Sequence, residues 1–171
     1  ALLEPAAAPA PARAAKQAAP RPDGVKAICK LMRETSHGHN LYDVFRDFLA
    51  MGSISISNAI DRARAEPREA EYLRIVKRYT PEQVAIFPQI FGELTAALDD
   101  DDGAFVDVLG AVFNTLELQN QWIGQYFTPY PLCVAMASIL MDASLEEKIA
   151  ERGFITLNEP ATGSGAMVIA F

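Results

Sequence analysis

Gly124-Gln125-Tyr126-Phe127-Thr128-Pro129 and Asn158-Glu159-Pro160-Ala161-Thr162-Gly163-Ser164-Gly165 are the two stretches that decide the C-terminal fold of this 171-residue chain. The first is rich in amides, aromatics and proline, which favours a loop, and it ends in a helix start with Thr128 as the predicted cap. The second follows the apolar run 154–157, which predicts a buried strand that Pro160 ends. Its glycines let the main chain approach a ligand without a β-carbon, and residues 166–171 begin a helix.

A strand, a glycine turn and a helix form the opening unit of a nucleotide-type pocket in an open α/β sheet. The turn lacks the Gly-Lys-Ser/Thr of a phosphate loop, and it has two glycines where the dinucleotide fingerprint has three. The helix start at residues 128–131 suits a carboxylate or a phosphate, because the first N–H groups of a helix are unpaired. Taken alone, the first stretch is equally typical of a plain capped helix. The second is equally typical of a plain β–α turn.

The chain before these stretches predicts a helical domain of about five helices joined by short polar loops. Apolar residues recur at helical spacing between residues 25 and 116. The alternating Ser-Ile run at 53–57 is assigned to a continuing helix, since helical chemistry resumes at Asn58. Thr80-Pro81-Glu82-Gln83 predicts a capping box. Pro88 predicts a kink in the helix that follows rather than its end.

The chain has two cysteines and two histidines, and neither pair indicates a metal site. Cys29 and Cys133 lie in unrelated contexts, which favours reduced thiols in a cytoplasmic protein. His37 and His39 have no third ligand nearby, so a polar loop is the better interpretation. The acidic run at residues 99–102 lacks the ligand spacing of a calcium loop. No apolar run is long enough to cross a bilayer, so no membrane partner is expected.

Charge is distributed unevenly along the chain, whose net charge is −7. Residues 1–78 carry 13 Lys and Arg against 9 Asp and Glu, whereas residues 79–171 carry 2 against 13. This asymmetry indicates a basic surface on the N-terminal half. The most basic part contains Arg62, Arg64, Arg68, Arg74, Lys77 and Arg78. Both a phosphate-contacting patch and a solvated helix face balanced by nearby acids are consistent with it.

In this order and about thirty residues apart, the two stretches resemble the N-terminal part of an N6-adenine DNA methyltransferase of the type I modification-subunit kind. That family has a helical N-terminal region, a Gly-Gln-Phe-Phe-Thr-Pro-like motif and then Asp-Pro-Ala-Cys-Gly-Ser-Gly in a Rossmann-like fold. Here Tyr126 replaces one Phe, Glu159 replaces Asp and Thr162 replaces Cys. The resemblance is clear over residues 115–171. The upstream region resembles the family only in being helical.

The resemblance implies a mainly α chain, with a helical N-terminal domain followed by the first βα unit of a Rossmann-like methyltransferase fold. The implied divisions are an Ala/Pro-rich tail or linker at 1–24, the helical domain at 25–118 and a truncated methyltransferase domain at 119–171. The implied cofactor is S-adenosylmethionine, bound by Tyr126, Phe127, Thr128, Pro129, Glu159, Pro160, Ala161, Gly163, Ser164 and Gly165. Thr128 and nearby N–H groups would bind the carboxylate of the cofactor, and Glu159 would attract its ammonium group.

The implied reaction is methyl transfer from S-adenosylmethionine to adenine N6 in duplex DNA by the full-length protein. Specificity or restriction subunits are further implied partners. The family's Asn/Asp-Pro-Pro-Tyr/Phe motif, which holds the flipped adenine, has no counterpart here, so no catalytic residue is assigned and this chain alone is expected to be inactive. Its uncovered strand edge and helix faces predict self-association.

Two other function classes are compatible with the sequence. One is a non-catalytic DNA- or subunit-binding helical module with vestigial methyltransferase motifs. The other is a small-molecule or protein methyltransferase that shares the glycine turn, against which the aromatic Thr-Pro motif argues. Binding of S-adenosylmethionine would separate the first of these from a methyltransferase fragment.

Overall fold

The computed structural model describes residues 20, 22–99, 106–118, 127–141 and 143–171. The tail at 1–19, residues 100–102 of the acidic run and Gly124-Gln125-Tyr126 lie outside these residues. The described residues are mainly helical and include no strand, which confirms a mainly α chain. They divide into two compact units, which we call the helical unit (20, 22–99 and 108–118) and the C-terminal unit (106–107, 127–141 and 143–171).

The helical unit is built from α-helices and one short 3-10 helix at Arg62–Arg64. The α-helices are α1 Pro22–Thr35, α2 Leu41–Ile60, α3 Ala65–Val76, α4 Pro81–Val84, α5 Phe87–Leu98 and α6 Val108–Thr115. Helix α1 packs against α2, α5 and α6, and α2 packs against α3. The side chains that fill the centre are those predicted by the helical spacing, including the fully buried Ile28, Met32, Val44, Ile90 and Val112.

Helix α1 approaches α5 closely at Gly24. A β-carbon at this position would lie 3.0 Å from Cβ of Ala97, which is tighter than an ordinary van der Waals contact. Two small residues therefore set the distance between the helices at this end of α1. Glycine is therefore required at position 24 for close packing and not for its backbone conformation, because Gly24 does not have a positive φ.

Helix α2 runs unbroken through the Ser-Ile run, as predicted. Ser53 donates its hydroxyl to the carbonyl of Ala50 at 2.9 Å, and Ser55 donates to that of Met51 at 2.8 Å. Bonds of this kind satisfy the hydroxyls without removing the main-chain helix bonds. Ile54 is buried on the inner face, so the period of the run is helical.

The predicted capping box at the start of α4 is confirmed. Gln83 N–H donates to Thr80 Oγ1 at 3.3 Å, and Thr80 N–H donates to Gln83 Oε1 at 3.0 Å. The single kinked helix predicted beyond it is instead two elements, α4 and α5, separated at residues 85 and 86. The proline at 88 has no N–H to offer the carbonyl of Val84, although the linking residues keep right-handed helical dihedrals.

A buried carboxylate joins α2 to the chain that follows α3. Asp47 is 2% exposed, and its Oδ2 accepts bonds from Arg78 Nη1 at 2.7 Å and from the Tyr79 hydroxyl at 2.8 Å. Its Oδ1 accepts from Arg46 Nη2 at 3.3 Å. Each carboxylate oxygen thus has a donor, which is what a buried charge requires. The helical spacing of the neighbouring apolar residues did not predict that Asp47 is buried.

Tyr79 predicts a loss of stability in alkaline solution. Burial and the bond to Asp47 raise the pKa of its phenol. The folded state therefore holds the proton more tightly than the unfolded state, whose tyrosine pKa is about 10. This contribution is fully present below pH 10 and is lost as the pH rises above that value, with a slope of about 1.4 kcal/mol per pH unit.

We expect urea denaturation between pH 8 and pH 11 to show a shallower alkaline fall in Tyr79→Phe than in the wild type. Tyr42→Phe is the matched control, because the Tyr42 side chain is exposed, and it should keep the wild-type slope. Equal slopes for Tyr79→Phe and the wild type would contradict the assignment.

The C-terminal unit contains α7 Tyr130–Leu140, α8 Ala143–Arg152 and α9 Ala166–Ala170. The predicted buried strand at 154–157 is not present: residues 154–159 have no regular structure, and Phe154 is 64% exposed. A strand exists only through bonds to a neighbouring strand, and none of the described residues provides one. Helix α8 was not predicted, although Leu145 and Ile149 are spaced as on one helix face.

Candidate cofactor site

Residues 127–129 lead into α7 and form the first half of the site. Pro129 is the N-cap of α7, and its carbonyl accepts the N–H groups of Leu132 at 2.9 Å and Cys133 at 3.2 Å. The prediction of Thr128 as the cap is wrong by one residue, because Pro129, with a non-helical ψ of 134°, is the last residue before the helix. Thr128 contributes its carbonyl instead, which accepts the buried Cys133 thiol at 3.7 Å.

The glycine turn forms the second half of the site. Glu159 Oε1 accepts the N–H of Ala161 at 2.8 Å, and the Thr162 hydroxyl donates to the Glu159 carbonyl at 2.6 Å. Gly163 and Gly165 have φ values of +53° and +84°, which residues with a β-carbon rarely adopt. Gly165 is the N-cap of α9. The sequence therefore needs glycine at both positions for the turn itself, apart from any ligand.

The two halves meet where Phe127 packs on Gly163. A β-carbon on Gly163 would lie 3.5 Å from Cδ1 and 3.7 Å from Cε1 of the Phe127 ring, so the ring lies against the turn. Helix α7 packs on α9, with the small side chains of Cys133, Ala137 and Ala166 buried. The tertiary structure thus places Phe127 beside the glycine turn.

Asp107 and Glu159 give this part of the unit a negative potential. Asp107 is 8% exposed. Burial and the charge of Asp107 raise the pKa of Tyr130. Burial, Asp107 and Glu159 raise the pKa of the Cys133 thiol, opposed by a hydrogen bond to the main chain. The local field therefore opposes further negative charge and favours a cationic ligand group such as a primary ammonium.

The other predicted binding residues lie at the surface. Phe127, Glu159 and Gly165 are half-buried, and Tyr126 lies outside the described residues. The exposed members are Thr128, Pro129, Pro160, Ala161, Gly163 and Ser164. The described part of the site is thus an open surface.

Three of the six basic residues of the basic stretch form ion pairs with nearby acids. Arg68 donates to Asn58 Oδ1 at 2.8 Å and pairs with Asp61 at 3.3 Å. Arg74 pairs with Glu71 at 2.5 Å, and Arg78 pairs with Asp47 at 2.7 Å. Residues 22–99 hold 10 Lys and Arg against 11 Asp and Glu. These pairs favour the solvated-face interpretation over a phosphate-contacting patch.

The two histidines take up structural positions. His37 Nδ1 lies 2.8 Å from the carbonyl of Glu34, and the His39 ring packs 4.5 Å from the ring of Tyr79. Within the described ranges, no three His, Cys, Asp or Glu side chains group closely enough to hold a metal ion. Among the helices described, none combines the length and the apolar character of a membrane-spanning segment.

Asp107 is the site residue that sequence reasoning missed. It stands between Val106 and Val108, and both valines are buried. A single acid inside an apolar stretch is the sequence signal for such a residue. Burying a carboxylate is strongly unfavourable unless it has partners, so an acid at a buried position indicates a specific role. Its nearness to Tyr130 could not be predicted from the sequence, since the two are 23 positions apart.

Comparison of the chain with protein-family models, curated proteins and solved structures finds no match. S-adenosylmethionine presents an ammonium, a carboxylate and a sulfonium at its methionine end. The two acids near α7 fit the cationic groups, and the glycine turn has the open main chain that close approach requires. The exposed hydroxyls of Thr128 and Ser164 are possible donors to the carboxylate.

Proposed function

We propose that this chain is the N-terminal part of a DNA adenine-N6 methyltransferase, and that residues 127–129 and 159–165 bind the methionine end of S-adenosylmethionine. The packing of Phe127 on Gly163 is the observation that supports this best. The two motifs that resemble the family's cofactor motifs are about thirty residues apart in sequence, and Phe127 of the first lies against Gly163 of the second.

The roles proposed for individual residues follow from their positions. Glu159 attracts the ammonium group, since one of its oxygens already orients the carboxylate through the Ala161 N–H. Phe127 packs on the turn and holds it in place. Gly163 and Gly165 allow the main chain to pass beside the ligand. When bound, S-adenosylmethionine supplies the electrophilic methyl group.

No catalytic step is assigned to the described residues. The Asn/Asp-Pro-Pro-aromatic motif that would hold the flipped adenine does not occur in the sequence. Duplex DNA and the specificity or restriction subunits are proposed as partners of the full-length protein. The ion pairs of Arg68, Arg74 and Arg78 lend no support to a DNA-binding module formed by the helical unit alone.

Glu159→Gln is expected to weaken binding of S-adenosylmethionine about tenfold, which is the typical loss when a hydrogen bond to a charged group loses its charge. The glutamine keeps an oxygen that can accept the Ala161 N–H, so the turn should survive. Isothermal titration calorimetry gives the affinity. Chemical shifts of the Gly163 and Gly165 amides in 15N-labelled protein locate the ligand.

The matched control is Glu151→Gln, which removes one exposed charge from α8 and should leave the affinity unchanged. The cofactor assignment is wrong if S-adenosylmethionine leaves the Gly163 and Gly165 amides unmoved. It is also wrong if the two variants weaken binding equally.

A further inference from the structure

The chain between α8 and the glycine turn is exposed and lacks main-chain hydrogen bonds. Residues 153–158 are all exposed, and within the described part of the chain no main-chain group of residues 154–158 is hydrogen-bonded. Gly153 ends α8, because its N–H donates to the carbonyl of Ile149 at 2.8 Å and its φ is +79°. Such a segment can take the extended conformation that endoproteases bind without first breaking main-chain bonds of its own.

Helix α8, which precedes this segment, has little tertiary packing. None of residues 144–152 is buried, and the apolar Leu145 and Ile149 are only half-buried. Helices shorter than about 12 residues are marginal in water without packing, and α8 has 10 residues. A cut after Arg152 requires the last turn of α8 to unwind, so the free energy of this opening is small. Arg152 is exposed and, among the described residues, forms no ion pair.

Basic residues in the connections of the helical unit are held by further contacts. Arg78, in the turn after α3, donates to the buried Asp47 at 2.7 Å. The 3-10 helix Arg62–Arg64 begins after Asp61, whose carbonyl accepts a bond from Arg68 of α3. A protease that extended either connection would have to break these contacts. Both connections should therefore be cut more slowly than the segment after α8.

We propose that residues 152–158 are an endoprotease site, open to enzymes that cleave after arginine at Arg152 and to enzymes that cleave after aromatic residues at Phe154. In the first case water adds across the peptide bond between Arg152 and Gly153, which leaves a carboxylate on Arg152 and a free amino group on Gly153. The site lies in the chain that connects the two halves of the candidate cofactor site, so a cut ends their covalent connection. That consequence rests on the proposed function, whereas cleavage itself is measured without S-adenosylmethionine.

Limited proteolysis with trypsin, followed by mass spectrometry, tests the site. The first cut within residues 22–171 should follow Arg152 and release residues 153–171. Arg152→Gln should slow the loss of the intact C-terminus at least about tenfold, because the rate follows the population of the open form and Lys148 lies one turn deeper in α8. Lys148→Gln is the matched control, since Lys148 is also exposed on α8, and it should leave the rate unchanged.

Chymotrypsin gives an independent measurement on the same segment. Of the bonds that the structure describes, it should first cut those after Phe154 or Leu157, at the same rate in Arg152→Gln as in the wild type. The inference fails if trypsin first cuts residues 22–171 within the helical unit, or if Arg152→Gln is cut as fast as the wild type. It also fails if chymotrypsin cuts the described helices before this segment.

Discussion

Replacing Asp47 with alanine is expected to lower the free energy of unfolding by about 3 kcal/mol, the lower end of what breaking a buried charge pair costs. The change leaves Arg78 without its closest anion and the Tyr79 hydroxyl without its acceptor. It also opens space beneath α2, where Asp47 is nearly inaccessible to solvent. The side chain of Arg78 is partly exposed, so water can solvate it, which keeps the loss near this lower end.

Urea denaturation followed by far-UV circular dichroism measures this effect. Asp43→Ala is the matched control, because Asp43 lies one turn away on α2 and forms an exposed pair with Arg46. That variant should change stability by less than about 1 kcal/mol, as surface ion pairs do. Asp47→Asn keeps an acceptor and should fall between the two. A loss at Asp47→Ala no larger than at Asp43→Ala would show that the buried network contributes nothing.

Replacing Gln83 with alanine is expected to lower the free energy of unfolding by about 2 kcal/mol. The change removes one capping interaction and two further hydrogen bonds. Gln83 Oε1 accepts the Thr80 N–H at the start of α4. Its Nε2 donates to the carbonyls of Thr35 at 3.0 Å and His37 at 2.9 Å. These carbonyls lie at the end of α1, where the last carbonyls of a helix have no partner within the helix. One side chain therefore satisfies two helix ends.

Comparison with Thr80→Ala separates the two roles of Gln83. Thr80→Ala removes only the other half of the capping box and should cost about 1 kcal/mol. Gln83→Glu keeps the acceptor for Thr80 but cannot donate to the two carbonyls when ionised, so it should also destabilise the protein. Gln89→Ala, a change on the exposed face of α5, should have little effect. If Thr80→Ala costs as much as Gln83→Ala, the bonds to α1 contribute no stability.

The helices of the helical unit could be predicted because their causes are local. The spacing of Ile28 and Met32 on α1 assigns these residues to a buried face, and the Thr80 capping box marks the start of α4. The continuation of α2 through residues 53–57 was likewise predicted from neighbouring residues. In each case the information lies within one or two turns of the chain.

Whether residues 154–157 form a strand could not be predicted from local sequence. Its residue types favour a strand, but a strand forms only when another strand is beside it, and that condition lies outside the segment. Helix α8 was missed because its mixed charged and apolar composition is a weaker pattern than that of α1. The cap of α7 was misplaced by one residue, since a threonine followed by proline offers two candidates and only the backbone dihedrals distinguish them.

For the candidate site, the residues themselves specify two motifs with the glycines, the acid and the aromatic ring that a cofactor surface needs. Their meeting depends on folding, because the contact of Phe127 with Gly163 joins positions 36 apart. The position of Asp107 near α7 also depends on folding, as do the bonds by which Gln83 links α4 to the end of α1. Local pattern sets where helices begin and which face is apolar. Long-range contacts determine which charged and polar groups lie close enough to interact electrostatically, because charges interact through space and not along the chain.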